Sequence, residues 1–301
     1  MEVWNKNPYT CTYCFLQSYL TNGTTTVIAD VPALVEEIKE KTRREPWRFF
    51  RIGTWELGDS LALEGMLGTA GELVSAFADL PNAVLEFRTK SDFVEPFLTL
   101  QSNGRTIISW TLNPQPVIRG EELGTASLDK RLAAMGRVVS KGYLTALHFD
   151  PMVYYEGWQT GYDDLVKRIF QVTPPENVAW ISIGALRFNP EMKKQIEDNF
   201  PRSRLTSAEM VLGGDGKVRY VKPLRVKMMT RLVDAIRKYG GDDPFIYLCM
   251  ERWDVWQKVL GYAPASIDHL DYLITKSLYD RFPGLVHTRP VLEQYQQGAG
   301  V

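Results

Sequence analysis

The chain has 301 residues, 45% of them hydrophobic, with a formal net charge of -1 and three cysteines. That length supports a sizeable core in one large or two smaller domains. The composition excludes an intrinsically disordered chain, a global basic footprint for nucleic acid and a secreted disulfide framework. No basic-then-apolar leader and no long apolar run is present, so a cytoplasmic protein that does not span a membrane is expected.

The first notable stretch is Asn7-Pro-Tyr-Thr-Cys11-Thr-Tyr13-Cys14-Phe15-Leu16-Gln17. A C-x-x-C pair alone can be a redox pair, half a zinc site or part of an iron–sulfur site. From Val27 onward a regular alternation begins. Helical spacing over Val31–Arg43, with Asp30 as N-cap and Pro32 in the first turn, predicts a helix. Further helices are predicted over Ala70–Ala78, Asp92–Leu100, Leu128–Ser140, Tyr162–Val172, Glu191–Asn199 and Leu224–Lys238, with a last helical region opening at Val255–Leu260. Short β-prone runs between them predict strands at Trp47–Ile52, Ala83–Thr89, Thr106–Trp110, Leu144–Phe149, Val178–Ile183 and Phe245–Cys249.

Strand–helix alternation with short loops predicts an α/β fold with a parallel sheet, closed fully or partly as a (β/α) barrel. Polar residues recur just after the strands: Thr54, Glu56, Lys90, Ser109, Asn113 and Asp150. In a parallel barrel those ends share one rim, where sites are built. The segment 205–223 breaks the rhythm. Gly213-Gly214-Asp215-Gly216 reads as a turn among Arg202, Arg204, Lys217, Arg219, Lys222 and Arg225. A solvated turn with surface charge is the preferred reading, and a phosphate-contacting hairpin is the alternative. Cys249 reads as a small core hydrophobe and His148 as a satisfied core or rim histidine. Tyr154, Tyr155 and Trp158 could stack a base or pack over the barrel mouth.

Five motifs taken together carry a family resemblance. They are Cys11–Gln17, Arg51-Ile-Gly53-Thr54-Trp-Glu56-Leu-Gly-Asp59-Ser60, Phe87–Lys90, Ser109-Trp-Thr-Leu-Asn113-Pro114 and Pro151-Met-Val-Tyr-Tyr-Glu156-Gly157-Trp158. The set resembles the spore photoproduct lyase family of radical S-adenosylmethionine proteins. The resemblance implies a partial (β/α)6 barrel of the TIM type with a C-terminal helical extension. It divides the chain into a core over 1–190 and a part over 191–301 that completes the barrel with a basic hairpin and helices. It implies a [4Fe–4S] cluster and S-adenosylmethionine, cleaved reductively to a 5′-deoxyadenosyl radical. Implied partners are DNA or another nucleic acid and an electron donor such as flavodoxin or ferredoxin.

Carried over by motif, Cys11 and Cys14 match cluster ligands. Tyr13 matches the position near the adenine. Gly53, Thr54 and Glu56 match the segment that meets the methionine amino group. Lys90, Ser109 and Asn113 match polar positions around the carboxylate and ribose. Three positions depart from the family pattern. Asn7 stands where the first of three cluster cysteines belongs. Gly53 stands where the lyase has its hydrogen-donating cysteine, and Phe15 where it has a tyrosine. Met1–Asn5 reads as a stub of a first barrel strand.

Overall fold

The computed structural model describes residues 8–19, 24–54 and 56–297. Asn7 and the expected stub over Met1–Asn5 lie outside the described residues, as does Trp55.

The sheet follows from the alternation. Six strands, β1 (Phe50–Gly53), β2 (Ala83–Thr89), β3 (Thr106–Thr111), β4 (Leu144–Met152), β5 (Val178–Ala185) and β6 (Phe245–Leu248), form one sheet in chain order. Every neighbouring pair is parallel. Parallel neighbours need a crossover, and helices supply it on the outer face. The sheet curls into a half-barrel of the TIM type. The helix over Val31–Arg44 shows the local logic. Asp30 accepts from the Ala33 amide at 2.9 Å, Pro32 sits in the first turn, and Val31, Val35, Ile38 and Thr42 form its buried stripe. Among the described residues no helix is long and apolar enough to cross a membrane.

Two of the boundaries that moved did so because a side chain captured backbone. The first strand starts at Phe50 and not at Trp47. Asn82 Nδ2 donates to the carbonyls of Thr42, Glu45 and Arg48 at 3.0–3.3 Å, which turns the chain there. The helix expected over 92–100 covers only Glu95–Thr99. Ser91 Oγ accepts from the Phe93 amide at 3.0 Å, holding a turn before it.

Inside the half-barrel the strand period of two stacks side chains in layers. Val84, Ile107, Ala146 and Trp180 form an apolar floor, sealed by Ile274 and Leu278 of the helix Ile267–Arg281. Two residues further along the same strands come Glu86, Ser109, His148 and Ser182. Two further still come Arg88, Thr111, Asp150 and Gly184. The interior therefore changes from apolar at the amino end to polar at the carboxyl rim.

Candidate functional site

The rim begins with the cysteine turn. Thr10–Cys11 pairs antiparallel with Glu122–Leu123, which follows β3. The Cys14 amide donates to the Cys11 carbonyl at 3.0 Å, closing a tight turn. Gln17 Nε2 braces it by donating to the Cys11 and Thr12 carbonyls at 3.3 and 3.0 Å. Burial pushes the Cys11 thiol up to about 12 and raises Cys14 as well, so both are neutral thiols near pH 7. The Lys90 charge opposes that shift at both sulfurs.

Lys90 follows β2. Its Nζ lies 5.8 Å from the centre of the Tyr13 ring. Its amide donates to Asp59 Oδ2 at 2.6 Å, and Asp59 Oδ1 accepts from Thr89 Oγ1 and the amides of Leu61 and Ala62. Asp59 thus ties the loop after β1 to the end of β2.

Glu122 ties the cysteine turn to the barrel wall. It accepts from Tyr13 Oη at 2.6 Å, Asn113 Nδ2 at 2.9 Å and Arg131 Nη2 at 2.6 Å, and the Glu122 and Arg131 side chains are both fully buried. Burial disfavours its charge, but the Arg131 guanidinium, then Lys90 and the Tyr13 and Asn113 hydrogen bonds, hold it below the usual carboxylate range.

The structure brings Cys11, Cys14, Tyr13 and Lys90 to one corner, with Asn113 joined to it through Glu122. Three further candidate residues have side chains that are buried and engaged within the protein. Ser109 is fully buried and donates inward to Glu86 at 2.6 Å. Asn113 is fully buried, with its amide on Glu122 and the Pro151 carbonyl and its oxygen accepting from Tyr162. Thr54 is buried and donates to Ser60 Oγ at 2.7 Å. Gly53 is half-buried at the end of β1, and Glu56 is exposed beyond it.

Below the rim, His148 Nε2 sits 2.6 Å from the Glu86 carboxylate. Burial and the neighbouring Arg88 hold the ring neutral. With Nε2–H donating, Nδ1 is a buried acceptor without a partner among the described residues, so the expected full satisfaction of this histidine is corrected.

A second corner lies across the mouth. Arg187 forks onto Asp150 at 2.9 and 3.2 Å and reaches Cys249 Sγ at 3.3 Å. Cys249 is half-buried past the end of β6, not a core residue as expected. An apolar strand in sequence cannot say where its last residue turns out to the rim. Met250 follows with φ 53, a left-handed conformation rare for a residue with a side chain. The hairpin of Met210–Leu212 and Val218–Tyr220 stands beside this corner, with Arg187–Phe188 as its third strand. Arg219 and Arg225 are not surface charge: Arg219 binds Asp215 and the Met250 carbonyl, and Arg225 binds Glu251 at 2.8 Å. Trp158 is core, whereas Tyr154 is exposed and meets Tyr220 edge-on.

Sequence reasoning missed Glu122, Arg131, Glu86 and the Asp150–Arg187 pair as organisers. Asp59 carried a local signal as the acid inside the motif after β1, and Asp150 one as a polar residue at a strand end.

A family model described as spore photoproduct lyase matches residues 9–239. A spore photoproduct lyase from Bacillus subtilis (strain 168) is 27% identical over 200 residues, covering 65% of this chain and 58% of the relative. One from Geobacillus sp. (strain Y412MC61) is 25% identical over 241 residues, covering 76% and 69%. This chain therefore spans 58% of the length of the first of these relatives. A solved spore photoproduct lyase mutant with bound AdoMet and dinucleoside spore photoproduct superposes with a TM-score of 0.74 at 21% identity, covering 82% of this chain and 76% of that one. Streptococcus suis SuiB bound to S-adenosylmethionine gives a TM-score of 0.51 at 12% identity, covering 85% and 51%. At these identities the structural likeness speaks to the fold.

Proposed function

We propose a function from one premise: this chain belongs to the spore photoproduct lyase family. On that premise it is a radical S-adenosylmethionine protein whose reactive corner is the Cys11–Cys14 turn beside Lys90. That juxtaposition at the carboxyl rim carries the reading.

The donor set supports two corners of an iron–sulfur cluster. Cys11 and Cys14 share one tight turn and the field of Lys90. Among the described residues no third cysteine, histidine or carboxylate joins them, and the Asn7 position lies outside those residues. Bound there, a [4Fe–4S] cluster would supply the electron that cleaves S-adenosylmethionine.

The residues of the chain act around that chemistry. Ligation takes a proton from each thiol, and Lys90 lowers the cost by stabilising the thiolates. In the same reading Lys90 offers a cation to the methionine carboxylate, Tyr13 a ring near the adenine, and Gly53 and Glu56 an open edge for the amino group. Thr54, Ser109 and Asn113 hold the rim in shape from behind. A nucleic acid is the proposed substrate class, because the relatives are spore photoproduct lyases by name and one solved relative holds a dinucleoside spore photoproduct. Gly53 offers no thiol, so the hydrogen-return step of those relatives is not carried over.

Anaerobic reconstitution with iron and sulfide tests the reading. A brown protein that releases 5′-deoxyadenosine with dithionite and S-adenosylmethionine supports it; a colourless protein overturns it. A second reading, binding of S-adenosylmethionine without cleavage, is favoured by the absence of a third ligand group among the described residues. Calorimetric binding with no 5′-deoxyadenosine would select it. A cluster gained only in Asn7→Cys would mark the site as a decayed one.

A further inference from the structure

A cavity of about 450 Å³ opens at the amino end of the half-barrel, opposite the cysteine turn. Its size is that of small-molecule sites. Phe49, Leu80 and Val286 give it a buried apolar floor. Trp47 and Tyr295 form an aromatic wall, edge to face with ring centres 5.4 Å apart. Tyr295 is fixed in place, its hydroxyl accepting from the Phe49 amide at 3.4 Å.

The charged side chains that line this cavity are Lys39, Arg43 and Arg48 against the single carboxylate Asp79, so cations are in excess. Lys39 and Arg43 lie one turn apart on the helix Val31–Arg44, a like-charged pair on one face. Lys39 has Glu36 at 2.7 Å, and Arg48 has Glu45 and Asp271 at 3.5 and 3.2 Å. Arg43 forms no ion pair among the described residues. The helix dipole accounts for a cation in the last turn, but not for the second observation. Arg105 is 7% exposed and also has no carboxylate partner among the described residues. Its guanidinium donates to the carbonyls of Ala83 and Leu285 and contacts His287 Nε2 at 2.8 Å. A buried cation normally has a counter-charge. Because His287 accepts from Arg105 through Nε2, its proton sits on Nδ1, a donor on a cavity-lining side chain.

We propose that this cavity binds a nucleoside monophosphate, the base against Trp47 and the phosphate between Arg43 and His287. The apolar floor and aromatic wall suit a planar ring system. The phosphate supplies the negative charge that Arg43 lacks directly and Arg105 lacks through His287. The site stands at the other end of the barrel from the cysteine turn and does not rest on the radical reading.

Isothermal titration of the full chain with AMP, adenosine and inorganic phosphate tests it. AMP is expected to saturate one site, with adenosine and phosphate each weaker by about tenfold or more, since each keeps only half the contacts. Arg43→Glu, on an exposed helix surface, is expected to weaken AMP by at least about tenfold, with only the small fall in melting temperature that an acid in the last helical turn brings. Trp47→Phe is expected to weaken AMP and adenosine and to leave phosphate alone. AMP binding that survives Arg43→Glu but disappears in Lys90→Ala would place the nucleotide in the barrel mouth and overturn the proposal. No saturation with millimolar AMP would overturn it too.

Discussion

The hydroxyl of Tyr13 donates to Glu122 Oε1 at 2.6 Å, and with the backbone pairing of Cys11 and Glu122 it joins the cysteine turn to the buried charge network of the barrel wall. The opposite carboxylate oxygen of Glu122 carries the Arg131 contact at 2.6 Å. The turn is therefore held by a residue 109 positions later in the chain.

Glu122→Gln leaves Arg131 buried without its counter-charge. A loss of about 3–5 kcal/mol is expected, as for breaking a buried pair from one side. Urea unfolding measures it. Iodoacetamide labelling of Cys11 and Cys14 should quicken in the same variant. An unchanged midpoint would show that the pair contributes nothing to the fold.

Asp59→Ala removes the acceptor for two backbone amides after β1, one amide after β2 and the Thr89 hydroxyl. Hydrogen bonds to a charged acceptor contribute about 1.5–3 kcal/mol each, and they are not additive. A loss of roughly 2–4 kcal/mol is expected. Asp59→Asn should recover part of it, because one oxygen remains. The comparison of the two variants by thermal melting separates loss of acceptors from loss of charge.

Asp150 gives the mouth a pH dependence. Burial raises its pKa, but the Arg187 guanidinium outweighs burial and holds it down at about 2 against an ordinary 3.8. A depressed carboxylate contributes its stability above the unfolded value and loses it as pH falls through the folded value. The contribution, roughly 2 kcal/mol, is full above about pH 4 and fades toward pH 2. Asp150→Asn should be less stable than the parent at pH 7 and converge with it at pH 2. Parallel stability curves across that window would contradict the assignment.

Gly184 is the point of closest approach below this pair. A Cβ there would stand 2.6 Å from Asp150 Oδ1 and 2.8 Å from Arg187 Nη1. Gly184→Ala must push the pair apart, at a cost of about 1–3 kcal/mol. Cys249, which contacts Arg187, should become more reactive to iodoacetamide. Asp150→Asn in the Gly184→Ala background should cost less than in the parent, because the pair is already disturbed.

The sequence by itself determined the parallel α/β sheet, while its closure only half-way was an expectation from the family resemblance. The β-branched runs and the helical stripes are local, and their alternation permits little besides a parallel sheet wound in chain order. It also determined that Cys11, Cys14 and Lys90 sit near strand ends, since motif positions relative to strands are readable along the chain. Only the tertiary structure decided which polar groups are free to meet a ligand. Ser109 and Asn113 look like open rim residues in sequence, yet Glu86, Glu122 and Tyr162 take up their hydrogen-bonding capacity across other strands and helices. Cys249 reads as core, yet the chain turns at Met250 and delivers the thiol to Arg187. A hydrogen-bond partner 20 or 100 residues away leaves no trace in local composition. In a low-dielectric interior those distant pairings nonetheless fix which charges persist and which polar atoms are left for function.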